Sequence, residues 1–124
     1  MTKKLKLEEL GRIDVETFKK TPKISLVVIL DNVRSMHNVG AIFRTADAFL
    51  VEKIVLCGIT PQPPHREIHK AALGATESVD WIYEQDINVA IDNLKKENFE
   101  IIGIEQTSSS QLITDFEINK EKKY

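Results

Sequence analysis

Apolar residues fall along this chain in two kinds of pattern, continuous short runs and longer segments of helical period. Ser25–Leu30 (SLVVIL) is an unbroken β-branched run, as expected of a strand buried on both faces of a parallel sheet. Residues 53–57 (KIVLC) repeat that character, and residues 79–83 (VDWIY) and 100–104 (EIIGI) read as two more strands. Between them, residues 38–50, a short stretch around 67–73, and residues 86–97 (DINVAIDNLKKE) have helical spacing. Ahead of the first strand, residues 5–20 read as an amphipathic helix on Leu7, Leu10, Ile13 or Asp14, and Phe18. Gly11 weakens that helix, and Thr21-Pro22 ends it. The segment ITPQPPHRE is a proline-rich loop, and the tail from residue 105 is polar. Strand and helix in alternation predict an α/β fold, a parallel sheet with helices on both faces. The predicted organisation is an N-terminal helical extension over residues 1–22 and one domain over residues 23–124.

Composition narrows the class only a little. The 124 residues, 42% hydrophobic and 29% charged, suffice for one domain with a modest core. No apolar run approaches the roughly 20 residues of a membrane span. The first residues, MTKKLKLEEL, are basic but lack the apolar core of a signal peptide, so the expected compartment is cytoplasmic. The single cysteine, Cys57, lies within an apolar run and reads as a small buried hydrophobe. The net charge of −2 gives no global argument for a polyanion partner. Its distribution is uneven, however. Residues 1–75 hold 12 Lys/Arg against 8 Asp/Glu, a net of +4, while residues 76–124 hold 5 against 11, a net of −6. A polyanion should therefore meet the first half.

The stretch HNVGAIFRTAD, residues 37–47, concentrates the candidate chemistry. Asn38 is placed to cap the helix. Val39, Ile42, Phe43, Ala46, Phe49 and Leu50 form the stripe expected to pack on the sheet. Arg44 lies off that stripe. Its helical neighbours Gly40, Ala41 and Ala48 are all small, as if something bulky must reach the guanidinium. On spacing alone, Arg44 also reads as a surface arginine paired with Asp47 at +3. The helix begins at the carboxyl edge of the sheet, where open α/β folds bind ligands and where helix N-termini favour anions. Arg34 and His37 in the same region add phosphate donors.

LDNVRSMHNVGAIFRTADAF closely resembles the first motif of the SpoU-type RNA 2′-O-methyltransferases of the SPOUT superfamily. The matching core is Asn38, Gly40, Ala41 and Arg44, followed by Thr45-Ala46-Asp47-Ala48. KAALGATESV, anchored on Gly74 and Ala75, resembles a later family segment, and the likeness runs over about residues 24–118. The resemblance implies an α/β knot, a homodimer, and methyl transfer from S-adenosyl-L-methionine to a ribose 2′-hydroxyl of tRNA or rRNA. It assigns the key catalytic role to Arg44, with Asn38 in support. A guanidinium stays protonated at ordinary pH, so it suits phosphate binding and alkoxide stabilisation better than proton removal.

The family's glycine-rich turn and its later serine- and asparagine-containing run do not occur in this sequence. The expectation is therefore the N-terminal part of an α/β-knot domain with the knot itself missing, inactive alone and inclined to associate through uncovered apolar surface. The closing Lys-Lys-Tyr reads as the start of a further strand. Ile104, Glu105 and Gln106, at the end of the fourth predicted strand, would face the cofactor pocket. Arg66 and Lys70, beside the proline-rich loop, are candidate RNA contacts. His65 and His69 have i, i+4 spacing but no third ligand, which makes a poor metal site. Trp81 and Tyr83 read as packing residues, and Ser108–Ser110 as a flexible loop. The rival functional reading is a non-catalytic RNA- or partner-binding α/β module. A third is a plain α/β scaffold with a coincidental motif.

Overall fold

The β-branched runs form the expected strands β1 (Ile24–Asp31), β2 (Val51–Cys57) and β3 (Trp81–Glu84) in a parallel sheet of order β1-β2-β3. The computed structural model describes the backbone of all 124 residues and every side chain except those of Leu7 and Glu8. Register pairs Val28 with Ile54 and Leu30 with Leu56 across β1 and β2, and Val55 with Ile82 and Leu56 with Tyr83 across β2 and β3. As β2 is the central strand, both its edges are hydrogen-bonded and both its faces are covered. Successive side chains alternate between the faces. Ile54 and Leu56 enter one core layer, and Val55 and Cys57 enter the other.

The first layer is the larger. Helices α1 (Val15–Lys20), α2 (Met36–Ala48), α3 (Arg66–Ala72) and α4 (Ala75–Ser78) cover it with Phe18, Val39, Phe43, Ile68 and Ala75. Phe43 is fully buried and meets Trp81 edge to face, with centroids 6.5 Å apart. Each large apolar side chain buried here contributes about 1.5–3 kcal/mol. The second layer is covered by α5 (Ile87–Lys96), which contributes Ala90 and Leu94 and is joined by Phe99. Helices thus occupy both faces, as the alternation predicts. Among the described residues no helix is long and apolar enough to cross a membrane.

The structure corrects the reading of the N-terminal helix. Residues 5–20 do not form one helix: a short 3₁₀ turn, Leu7–Leu10, ends at Gly11, which takes the left-handed conformation (φ 71°). Helix α1 restarts after Asp14, whose carboxylate accepts from the Thr17 N–H. That bond, with the Thr17 hydroxyl, lowers the Asp14 pKa. Of the apolar positions expected on that helix, Phe18 is buried, Leu10 and Ile13 are exposed, and the side chain of Leu7 lies outside the described residues.

The fourth strand is also absent. Residues 100–104 are irregular, with Ile101, Ile102 and Ile104 exposed. Only Glu100, the first of them, with Phe99 just ahead, is paired. Phe99 bridges Lys123 in parallel, and the Glu100 N–H donates to the Lys123 carbonyl at 2.8 Å. On the other side, the Tyr124 N–H donates to the Ser25 carbonyl and the Val27 N–H to the Tyr124 carbonyl, at 3.0 and 2.8 Å. Lys123–Tyr124 therefore lies between β1 and Phe99–Glu100 in the manner of a parallel strand. Residues 101–104 run on past the last residue that pairs with them, and an unpaired backbone keeps its polar groups in water. The tail through 118 stays open, with Leu112, Ile113 and Ile118 exposed.

Candidate nucleic-acid interface

The loop after β1 is fixed by residues that the sequence pattern did not single out. Asn32 takes a positive φ of 53°, and its Oδ1 accepts from the Ile59 N–H at 3.0 Å. A side chain at Gly58 would meet that oxygen at 2.0 Å. Buried Thr60 completes the junction. Its Oγ1 accepts from the Val33 N–H at 3.1 Å and lies within donating reach of the Leu30 and Cys57 carbonyls, at 2.9 and 2.7 Å. The loops leaving β1 and β2 are thus joined where their strands end. The Asx residue directly after a strand and the glycine after the next strand were the available signals.

Helix α2 leaves this junction. Its cap is Ser35, whose Oγ accepts from the Asn38 N–H at 3.1 Å, so Asn38 is a first-turn residue and not the cap. His37, Asn38, Ala41, Arg44, Thr45 and Ala48 face outward, while Val39, Gly40, Phe43 and Ala46 face inward. The small residues around Arg44 therefore have two separate causes. A Cβ on Gly40 would lie 2.3 Å from the Ile68 carbonyl and 2.8 Å from the Ala71 Cβ, so Gly40 allows α3 to cross closely. Ala41 and Ala48 leave the guanidinium uncovered. The expected Arg44–Asp47 pair does not form. Asp47 is held by Arg12 at 3.1 Å and by the Ser78 hydroxyl at 2.6 Å. Among the described residues Arg44 has no ion pair.

The other candidates lie in the loop after β1 and on the helix that follows β2. Arg34 is exposed in the loop before α2. Arg66 opens α3, and Lys70 is exposed one turn later, 3.7 Å from Glu67. The packing of α2 on α3 places these two cations on the helix beside the one that carries Arg44. Pro64, His65, Arg66, His69 and Lys70 line a shallow concavity. His65 is the N-cap of α3, with Nδ1 accepting from the Glu67 N–H, so it does not share a helix face with His69. Among the described residues no group of three His, Cys, Asp or Glu could hold a metal ion. Cys57 is buried as expected, and burial, with Asp31, Glu84 and Asp86 nearby, pushes its thiol pKa up. Tyr83 donates to the Gly58 carbonyl at 2.7 Å, so it braces the same edge.

This arrangement is joined by comparison with known proteins. The profile of the SpoU rRNA methylase family matches residues 25–124. The chain belongs to that family. A putative TrmH family tRNA/rRNA methyltransferase of Staphylococcus epidermidis is 34% identical over 92 residues, covering 74% of this chain and 37% of its own. The 23S rRNA (guanosine-2′-O-)-methyltransferase RlmB of Coxiella burnetii is 33% identical over 105 residues, covering 77% of this chain and 40% of its own. The SpoU family chain therefore spans about two fifths of the length of these curated relatives.

Solved structures agree on the fold. An rRNA methyltransferase from Sinorhizobium meliloti superposes with a TM-score of 0.52 at 28% identity, over 62% of this chain and 30% of its own. The SpoU methyltransferase AviRb from Streptomyces viridochromogenes, in complex with the cofactor AdoMet, gives 0.55 at 19% identity, over 72% and 33%. The expected placement of Ile104, Glu105 and Gln106 at a strand end is not met in this SpoU family member. Ile104, Glu105 and Gln106 do not end a strand. Ile104 is 83% exposed, and the Glu105 carboxylate accepts from the Gln106 N–H. All three are exposed, and as they stand they do not enclose an adenosyl group.

Proposed function

We propose that the whole protein transfers a methyl group from S-adenosyl-L-methionine to a ribose 2′-hydroxyl of tRNA or rRNA. Residues 23–124 supply the arginine-bearing part of its methyltransferase domain, behind an extension over residues 1–22. The observation that carries this reading is Arg44, outward and without an ion pair among the described residues, on a family-matched helix that starts at the carboxyl edge of the sheet. A protonated guanidinium there binds the phosphate next to the target ribose and stabilises the negative charge that develops on the 2′-oxygen while its proton passes to solvent water. Asn38 is exposed in the first turn of α2, six residues before Arg44, and orients the ribose by hydrogen bonding. Arg34, His37, Arg66 and Lys70 hold flanking phosphates.

The 124 residues alone are proposed to be inactive, because Ile104–Gln106 offer no cofactor enclosure. The active form is proposed to be a homodimer working in the cytoplasm. The same open surroundings of residues 104–106 favour a second reading, a non-catalytic RNA-binding module. One experiment separates the two. RNA binding by this chain should weaken about tenfold in Arg44→Ala, with a shallower salt dependence. The whole protein should place tritiated methyl groups on ribose 2′-oxygens of tRNA or rRNA, and Arg44→Ala should abolish this. Binding without any transfer selects the module. Affinity unchanged by Arg44→Ala removes Arg44 from both readings.

A further inference from the structure

Asp47 follows Arg44 by three residues on α2, a spacing at which a carboxylate and a guanidinium on one helix meet. They do not meet here. Asp47 Oδ2 accepts from Arg12 Nη2 at 3.1 Å and from Ser78 Oγ at 2.6 Å. Arg12 comes from the segment ahead of α1. Its Nη1 donates to the Leu73 carbonyl at 2.7 Å, where the chain turns from α3 to α4 through two left-handed residues, Leu73 and Gly74. The Asp47 side chain is 18% exposed and Ser78 only 4%, so this contact sits partly out of water, where a charge pair is screened less. The serine hydroxyl is neutral. Arg12 alone among these partners balances the Asp47 charge.

We infer that Arg12 is a positioning residue for Arg44: by holding Asp47, it leaves the Arg44 guanidinium unneutralised and open to an RNA phosphate. The inference rests on the proposed phosphate role of Arg44. It gives the N-terminal segment a part in RNA binding without any contact of its own to RNA. It also explains why a carboxylate one turn from Arg44 does not quench it.

The test has two readouts on this chain. The first is the Arg44 side-chain Nε–H signal in a nitrogen–proton correlation spectrum. Arg12→Ala should shift that signal and slow its exchange with water as Asp47 turns to Arg44. Adding Asp47→Asn to Arg12→Ala should return it. The second is affinity for a fluorescein-labelled stem–loop RNA at fixed ionic strength. Arg12→Ala should weaken binding about twofold, the size of one helical ion pair. The double variant should recover that loss, and Arg12→Ala should have no further effect in an Arg44→Ala background. A structural strap or a direct RNA contact by Arg12 would not be rescued by Asp47→Asn, so lack of rescue overturns the inference. Arg12→Lys, which keeps the charge, should behave as wild type and guards against misfolding of the alanine variant. An unchanged Arg44 signal in a folded Arg12→Ala protein also overturns it, whatever Arg44→Ala does to RNA binding. If Arg44→Ala leaves RNA affinity unchanged, the phosphate role falls instead, and the signal arm still decides the pairing.

Discussion

Two apolar runs of this chain have opposite fates. In β2, the four residues of IVLC are all buried, with Ile54 fully covered. In residues 100–104, EIIGI is open, with Ile104 83% exposed. Hydrophobicity does not separate them. β2 has a hydrogen-bonded neighbour on each edge and helices over each face. The later run has Lys123 beside its first residues and no paired residue beyond. A strand is a property of its neighbours, because a backbone without partners is better solvated as coil. The comparison therefore divides the molecule into a packed body, roughly residues 12–99, and an open tail pinned at its far end by two residues.

Matched substitutions sharpen that division. Phe43→Ala empties the centre of the larger core layer and should cost about 3–5 kcal/mol. Phe116→Ala removes only the edge-to-face contact of a half-exposed ring with Tyr124 at 5.9 Å, and should cost about 1 kcal/mol or less. Denaturant unfolding measures both, and equal costs would mean that the tail is packed as firmly as the core. Glycine gives a second pair. Gly40→Ala drives a methyl into the Ile68 carbonyl and should destabilise by about 1–3 kcal/mol. Gly103→Ala meets nothing within 4 Å and should be neutral or slightly stabilising by thermal melting.

The smallest effect is expected from pH at the start of α1. The Asp14 pKa is lowered in the folded state, chiefly by the Thr17 N–H. Its contribution is present above the unfolded carboxylate value, near 3.8, and is lost as pH falls through the lower folded value. Circular dichroism melts between pH 5 and pH 2 should show a small loss that Asp14→Asn, a cap that does not titrate, flattens. An identical acid slope in both proteins would remove the cap from the packed body's account.

The site was partly legible for the same reason as the body. Arg44 stands off the apolar stripe of α2, and the stripe is set by local period, so its outward placement followed from spacing. The roles of its neighbours did not follow. Gly40 looked like clearance for Arg44 but serves the crossing of α3, a contact with residues 68–72. Asp47 looked like the partner of Arg44 but binds Arg12, 35 residues earlier, and Ser78, 31 residues later. Asn32 and Thr60 gave little signal, because their worth lies in joining two loops 27 residues apart.

Local pattern was enough for the alternation of strand and helix, the parallel sheet covered on both faces, the buried thiol and the family motif with its outward arginine. These rest on period and on local sterics, which act within a few residues. The packed fold sets what the local pattern leaves free: residues 101–104 are unpaired, Lys123–Tyr124 lie along β1, and Arg12 takes the carboxylate beside Arg44. Each is a choice between partners far apart in the chain, and such a choice depends on which groups the finished fold brings within hydrogen-bonding distance.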